Sequence, residues 1–109
     1  MITSKEQLFA AYPKKSITLD LPDVEGISMA FHELSVKDKI DYGRFAQKEG
    51  ITSLDLAGFV IARSADILTD DDAEMIMNRL SVQALGYCSK EILKLSGMSQ
   101  EAQEEAEKN

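Results

Sequence analysis

The chain has 109 residues, of which 44% are hydrophobic and 28% are charged, so we expect one globular domain with a single modest core. Its formal net charge of −7 would repel a phosphate backbone, which argues against nucleic acid as a partner. No apolar run is long enough to cross a membrane and the amino terminus has no secretory-signal core, so we expect a cytoplasmic protein with no membrane partner.

The first third of the sequence predicts a short helix and then a β-hairpin. Thr3 and Glu6 have the capping-box spacing, at which each side chain satisfies the other residue's backbone N–H, and the helix has to end before Pro13. Apolar and polar residues then alternate over 16–21 and again over 27–34, as in two half-buried strands. A short loop ending in Gly26 joins them, which indicates an antiparallel hairpin.

A helical period begins at Ser35, which forms a second capping-box spacing with Asp38. We expect this helix to stop at Gly50, because glycine suits the backbone of a helix end. The apolar positions of the helix are Val36, Ile40 and Phe45.

A third helix is predicted to start at Thr52 or Ser53, ahead of Asp55. Apolar residues surround it almost completely, which is typical of a helix that is buried on every side. We therefore predict that it is the central helix of the core. Its large apolar residues are Leu54, Leu56, Phe59, Val60 and Ile61.

An acidic cluster follows, formed by Asp66, Asp70, Asp71, Asp72 and Glu74. Calcium or magnesium prefers such oxygen ligands, but the stretch lacks the alternating acids and the mid-loop glycine of an EF-hand. Thr69 followed by three aspartates matches a helix start instead, where free N–H groups and the helix dipole favour negative charge. We interpret Thr69, Asp70, Asp71 and Asp72 as a helix cap motif, with Asp66 in the preceding loop, and predict no metal site.

Two further helices complete the predicted body, and the last of them ends at Gly97. The segment 98–109 has no large apolar residue after Met98, so we expect it to be a disordered acidic tail. Residues 1–97 are then a single domain. The predicted fold class is α+β, with an N-terminal two-stranded antiparallel hairpin packed on a mainly α-helical body.

Few residues are candidates for chemistry. The single cysteine, Cys88, and the single histidine, His32, cannot form an internal disulfide or a Cys/His zinc site. We expect Cys88 to be a small buried hydrophobe and His32 to lie at the surface, on the polar side of the second strand. We identify no catalytic, cofactor-binding or metal residue and expect a protein that is not an enzyme.

Two local features point to packing or recognition. Gly58 and Gly86 lie inside predicted helices, where glycine is costly unless another element packs closely, so they could mark helix crossings. Met75 and Met77 point to different sides of one helix, so at least one could be an adaptable contact for a partner, although ordinary core filling explains them equally well. With Tyr87, they are our candidates for partner binding.

The order of motifs in the second half is similar to that of a known family. A leucine, a threonine and a run of acids open a helix at Leu68 to Asp72, and a leucine-rich segment closes with a small polar residue and glycine at Ile92 to Gly97. These patterns, after a strand pair and a capped helix, resemble the tail assembly chaperones of long-tailed, siphovirus-type bacteriophages over about residues 16 to 98. One departure is the absence of the Asp-x-x-Gly turn that family members often carry before the threonine.

The resemblance implies a non-enzymatic protein of the host cell cytoplasm, encoded by a phage or prophage and absent from the mature virion. Such a chaperone binds the tape measure protein and keeps it soluble while tail tube subunits assemble around it. The resemblance also implies a longer product made by programmed frameshift, whose extension binds the tail tube protein; this chain would be the shorter product. An alternative is a small acidic adaptor or antitoxin-like inhibitor that binds a basic protein. The sequence leaves the client-binding surface and self-association open.

Overall fold

A computed structural model describes residues 1–98 of the chain. In order, its elements are α1 (Lys5–Ala11), β1 (Ser16–Asp20), β2 (Ser28–His32), α2 (Val36–Ala46), α3 (Ser53–Ser64), a 3₁₀ turn (Asp70–Asp72), α4 (Ala73–Arg79) and α5 (Val82–Leu95). The predicted α+β fold is confirmed, since one antiparallel hairpin packs on a mainly helical body. Of the predicted acidic tail, only Met98 is described, and it packs against the core; residues 99–109 lie outside the described part of the chain.

The hairpin has the predicted alternation. β1 and β2 pair with Ser16 opposite His32 and Asp20 opposite Ser28. Leu19 and Phe31 are buried on the side that faces the helices, because successive side chains of a strand point to opposite faces. The hairpin therefore closes one side of the helical core.

Helix α3 is central, as predicted, and packs against α2, α4, α5 and β2. A Cβ added at Gly58 would lie 3.1 Å from the sulfur of Met77, so this glycine marks the close approach of α3 and α4. The same expectation for Gly86 is wrong, because that position is exposed and has open space beside it. The buried core comprises Leu19, Phe31, Leu34, Ala57, Val60, Ile61, Ala62, Ala65, Ile76, Leu85, Cys88 and Ile92.

Helix α2 begins as predicted but packs through a different face. The Ser35 hydroxyl accepts the Asp38 backbone N–H at 3.0 Å and the Asp38 carboxylate accepts that of Ser35 at 3.0 Å. Val36 and Ile40, two of its expected apolar positions, are exposed, whereas polar and aromatic residues of α2 face α3. The helix ends at Ala46, four residues before Gly50.

Helix α1 ends before Pro13 as predicted, but its cap is shifted by one residue. The Ser4 hydroxyl accepts the Gln7 backbone N–H at 3.2 Å, and the Thr3 backbone N–H donates to the Gln7 side chain at 2.7 Å. The Gln7 side chain therefore accepts the backbone N–H bond for which the sequence suggested Glu6. None of the residues of α1 is buried.

Helix α5 ends at Leu95, and Gly97 terminates it as predicted. Gly97 has a φ of +74°, and the N–H groups of Gly97 and Met98 donate back to the carbonyls of Lys94 and Leu93, which is the Schellman arrangement. At fourteen residues α5 is the longest helix described, and no helix within residues 1–98 is long and apolar enough to cross a membrane.

Candidate binding site

An open pocket of about 430 Å³ lies between the hairpin loop, the α3–α4 connection, α4 and α5. Its volume is in the range of about 300 to 1,000 Å³ that is typical of ligand sites. Most of the side chains around it are apolar, so it favours an apolar group from a partner. Its lining includes Leu21, Pro22, Val24, Met29, Phe31, Ile61, Ile67, Leu68, Ile76, Leu80, Ala84 and Cys88, with Asp23, Arg79 and Ser81 as its polar members.

Two small side chains form part of the pocket wall. Ala84 and Cys88 are one helical turn apart on α5 and both face the pocket. On the opposite side, Met29 and Phe31 come from alternate positions of β2 and so lie on the same face of the hairpin. A leucine or phenylalanine on α5 would fill the gap that the alanine and the cysteine leave.

The rim of the pocket carries exposed apolar side chains. Ile67, in the α3–α4 connection, is 80% exposed, and Val24, in the hairpin loop, is 45% exposed. A large apolar side chain on a loop gains nothing from folding when it is left in water, and exposed apolar surface next to an apolar pocket marks an interaction site. The rim and the pocket together form one surface, which we call the apolar pocket.

Two hydrogen bonds of Ser81 link the hairpin loop to the start of α5. Ser81 caps α5 by accepting the Ala84 backbone N–H at 3.0 Å, and its hydroxyl donates to the Asp23 carboxylate. Asp23 has a φ of +68°, a left-handed conformation that aspartate and asparagine adopt more readily than other side chains. These hydrogen bonds therefore join the hairpin loop to the start of α5 at the pocket lining.

Replacing Asp23 with alanine is expected to lower the free energy of unfolding by about 1 to 2 kcal/mol, because the variant loses the bond to Ser81 and keeps an unfavourable φ. Asp23→Asn keeps an acceptor and tolerates the conformation, so it should lie within about 0.5 kcal/mol of the wild type. Urea unfolding of both variants measures the difference. Equal losses of stability in the alanine and asparagine variants would contradict a stabilising role of the Asp23–Ser81 hydrogen bond.

A second, smaller depression of about 280 Å³ adjoins Ile67 on the hairpin side. His32 lies in it with Nε2 3.1 Å from the Asp66 carboxylate and Nδ1 2.9 Å from the Glu33 carbonyl oxygen. The imidazole lies on the polar side of β2 as predicted, but it is more buried than expected, with a side chain that is 13% exposed. Asp66 lies in the loop before the cap, as predicted, and its contact with His32 anchors the loop that carries Ile67.

The acidic cluster does form a helix start, but it has a second role that the sequence pattern did not indicate. The Asp72 carboxylate accepts the Thr69 backbone N–H at 2.8 Å, and Asp70 to Asp72 form a 3₁₀ turn that leads into α4. Asp70 instead makes a bidentate ion pair with Arg63 of α3. Within residues 1–98, no group of three or more His, Cys, Asp or Glu side chains is arranged to hold a metal ion.

Arg63 is the centre of an ion-pair network that joins three elements. Its guanidinium contacts Asp70 before α4, and Nη1 lies 3.1 Å from Asp38 and 2.9 Å from Asp41 of α2. Its planar group also stacks on the Phe59 ring, 4.7 Å from the centroid. The hydrogen bond to Asp70 is the largest of the effects that raise the pKa of Arg63. This network explains why α2 turns carboxylates toward α3 and leaves Val36 and Ile40 in water.

The three predicted partner-binding residues lie outside the apolar pocket. Met77 packs on Gly58, so it contributes to the packing of α4 against α3. Met75 and Tyr87 are exposed, but neither lines the pocket. The residues that do line it come from segments far apart in the chain, and the one local signal for it was Ile67, a large apolar residue between a helix end and a cap.

Cys88 is buried in the wall of the pocket, which confirms the prediction of a small buried hydrophobe. Burial raises the pKa of its thiol, which keeps the uncharged, weakly nucleophilic form. The geometry around the pocket is thus suited to holding an apolar group.

No known protein family, curated protein or solved structure matches this chain. The fold and the pocket define a small acidic α+β domain with an open apolar pocket.

Proposed function

We propose that this protein is a non-enzymatic tail assembly chaperone of a long-tailed phage or prophage. Its apolar pocket would bind a segment of the tape measure protein and keep that client soluble while tail tube subunits assemble around it. The observation that carries the proposal is the open apolar pocket with Ile67 and Val24 exposed at its rim. The motif order that resembles the chaperone family supplies the identity of the client.

The chemistry of the pocket suits an amphipathic helix. Such a helix presents apolar anchors at positions i, i+3 or i+4 and i+7, and a groove about this large accepts two or three of them. Residues 16–98 contain fourteen acidic and eight basic residues, a net charge of −6. A strongly charged body keeps a complex with an apolar client in solution.

Co-expression with the tape measure protein tests the proposal. Wild-type chain should raise the soluble fraction of the client several-fold, and Ile67→Glu should remove that effect, because a carboxylate at the rim opposes apolar docking. The matched control is Ile40→Glu on α2, which makes the same chemical change at another exposed isoleucine and should leave the rescue intact.

Two results would contradict the proposal. One is a client that stays insoluble with the wild-type chain. The other is equal activity of the two glutamate variants, which would remove the pocket from the mechanism. If Met75→Glu alone removed the rescue, the surface predicted from the sequence would be the binding surface. The proposal extends to a longer frameshifted form that binds the tail tube protein, which mass spectrometry of products from the intact gene would detect.

The acidic adaptor or inhibitor is the second candidate, and the charge of the body favours it. Binding to a basic partner through exposed acids such as Asp66 and Asp71 would weaken steeply with salt. Such binding would be insensitive to Ile67→Glu, whereas capture of an apolar client is sensitive to that variant and nearly independent of salt. A salt titration of the complex with each glutamate variant therefore separates the two functions.

A further inference from the structure

Helix α1 has an apolar side that is exposed among the described residues, 1–98. Phe9 and Tyr12 are 69% and 78% exposed, and Leu8, one turn before Tyr12, is exposed beside them. A helix of seven residues is far below the length of roughly 12 to 15 residues at which isolated helices become even marginally stable in water. Because capping alone cannot compensate for that, α1 needs a surface on which to bury these side chains.

Helix α1 contributes no residue to the lining of the apolar pocket of its own chain, and its connection to the hairpin is short. The Glu33 backbone N–H donates to the Lys15 carbonyl at 2.8 Å, which leaves only Pro13 and Lys14 free between the C-cap of α1 and the hairpin. Proline restricts that short hinge further by fixing its own φ. The pocket extends from Phe31, which pairs with Ile17 near this hinge, to Val24 in the hairpin loop beyond the far end of β1. Short hinges of this kind favour exchange of an element between copies.

The charge distribution identifies the surface that would receive the helix. Residues 1–15 carry three lysines and one glutamate, a net charge of +2, against the −6 of residues 16–98. At the pocket, the lining has one acid, Asp23, and one base, Arg79, and a second acid, Asp66, lies next to Ile67 at the rim. A basic arm with an apolar face is therefore complementary to an acidic body with an apolar pocket.

We propose that α1 of one copy of this chain docks into the apolar pocket of a second copy, with Leu8, Phe9 and Tyr12 as its anchors. The reciprocal exchange gives a two-fold symmetric dimer in which each arm covers the pocket of the other protomer. Self-association by this route does not depend on the identity of the client. One consequence does rest on the proposed function: the client and the arm compete for the same pocket.

Light scattering of three variants tests the exchange without any client. The wild type should be a dimer at micromolar concentrations. Phe9→Glu, which damages the arm, and Ile67→Glu, which damages the pocket, should each be monomers. An equimolar mixture of those two variants should contain dimers again, because one intact arm and one intact pocket remain. Ile40→Glu should stay dimeric, and circular dichroism melts should show every variant folded.

A monomeric wild type, or a Phe9→Glu variant that remains a dimer, would overturn the exchange. So would an equimolar mixture that stays monomeric, because the arm and the pocket would then not meet. These results are separable from those on the proposed function: a monomeric chain that rescues its client refutes the exchange alone, and a dimer that exchanges arms without rescuing any client refutes the chaperone alone.

Discussion

Replacing Arg63 with alanine is expected to lower the free energy of unfolding by about 2 to 4 kcal/mol, less than for a fully buried pair because the site is partly solvated. The guanidinium contacts Asp38, Asp41 and Asp70, and its removal leaves three carboxylates that face one another without a cation. The variant also loses the stacking on Phe59. Urea unfolding at neutral pH measures the loss.

Two control variants separate geometry from charge. Arg63→Lys retains the charge but not the planar fork that serves three carboxylates, so it should lose a substantial part of the same stability. Arg44→Ala removes an exposed arginine from the last turn of α2 and should cost no more than about 0.5 kcal/mol. If Arg63→Ala were no more costly than Arg44→Ala, the network would contribute nothing to the stability of the fold.

The same network predicts an acid-dependent loss of stability. Burial on its own raises the pKa of Asp38, but hydrogen bonds from the Ser35 backbone and from Arg63 outweigh it and hold the pKa below the usual value of 3.8. A carboxyl whose pKa is lowered by folding stabilises the protein above its unfolded pKa, and that contribution is lost as the pH falls through the folded value. Wild type should therefore lose more stability than Arg63→Ala between pH 5 and about pH 2 to 3, as urea unfolding at each pH would show.

Ser96→Ala is expected to cost about 1 to 3 kcal/mol, which is large for the loss of one oxygen atom. The Ser96 hydroxyl is buried, donates to the Ile92 carbonyl at 2.7 Å and accepts the Leu34 backbone N–H at 2.9 Å. Alanine would leave that N–H buried without a partner, at the junction between β2 and α2. Thermal or urea unfolding of the variant measures the cost.

Ser64→Ala is the matched control. Ser64 is equally buried, and its hydroxyl donates to a carbonyl of its own helix, that of Ile61, at 3.2 Å. That carbonyl belongs to α3 itself, and alanine is the better helix former, so the variant should lie within about 1 kcal/mol of wild type. Similar losses for Ser64→Ala and Ser96→Ala would mean that the bond between α5 and Leu34 is unimportant.

Local sequence signals were sufficient for most boundaries of the fold. The capping box of Ser35 and Asp38, the alternation around Leu19 and Phe31, and the glycine at Gly97 each depend on residues within a few positions of one another. The hydrogen bonds and side-chain directions in these features are set by residues close together in the chain, so a local sequence pattern predicts them. The shift of the first cap from Thr3 to Ser4 shows the limit of such patterns where two adjacent residues can both act as caps.

Side-chain orientation on α2 could not be predicted in this way. Val36 and Ile40 form a reasonable apolar stripe when the helix is considered alone. Their exposure is decided by Arg63, 22 to 25 residues further along, which draws Asp38 and Asp41 to the interface instead. The ion pairs and the aromatic contacts with Phe59 outweigh the burial of two aliphatic side chains, and only the packed structure shows that competition.

The sequence by itself determined the class of fold, most of its helix caps, the central position of α3 and the buried state of Cys88, because each follows from local periodicity or capping. Tertiary structure alone decided where the apolar pocket lies, since Val24, Ile67 and Ala84 meet only when the hairpin, α3 and α5 pack together. It also decided that the apolar side of α1 is exposed within the part of the chain that the structure describes. Burial and exposure are properties of contacts between distant segments, and such contacts leave no fixed spacing in the sequence.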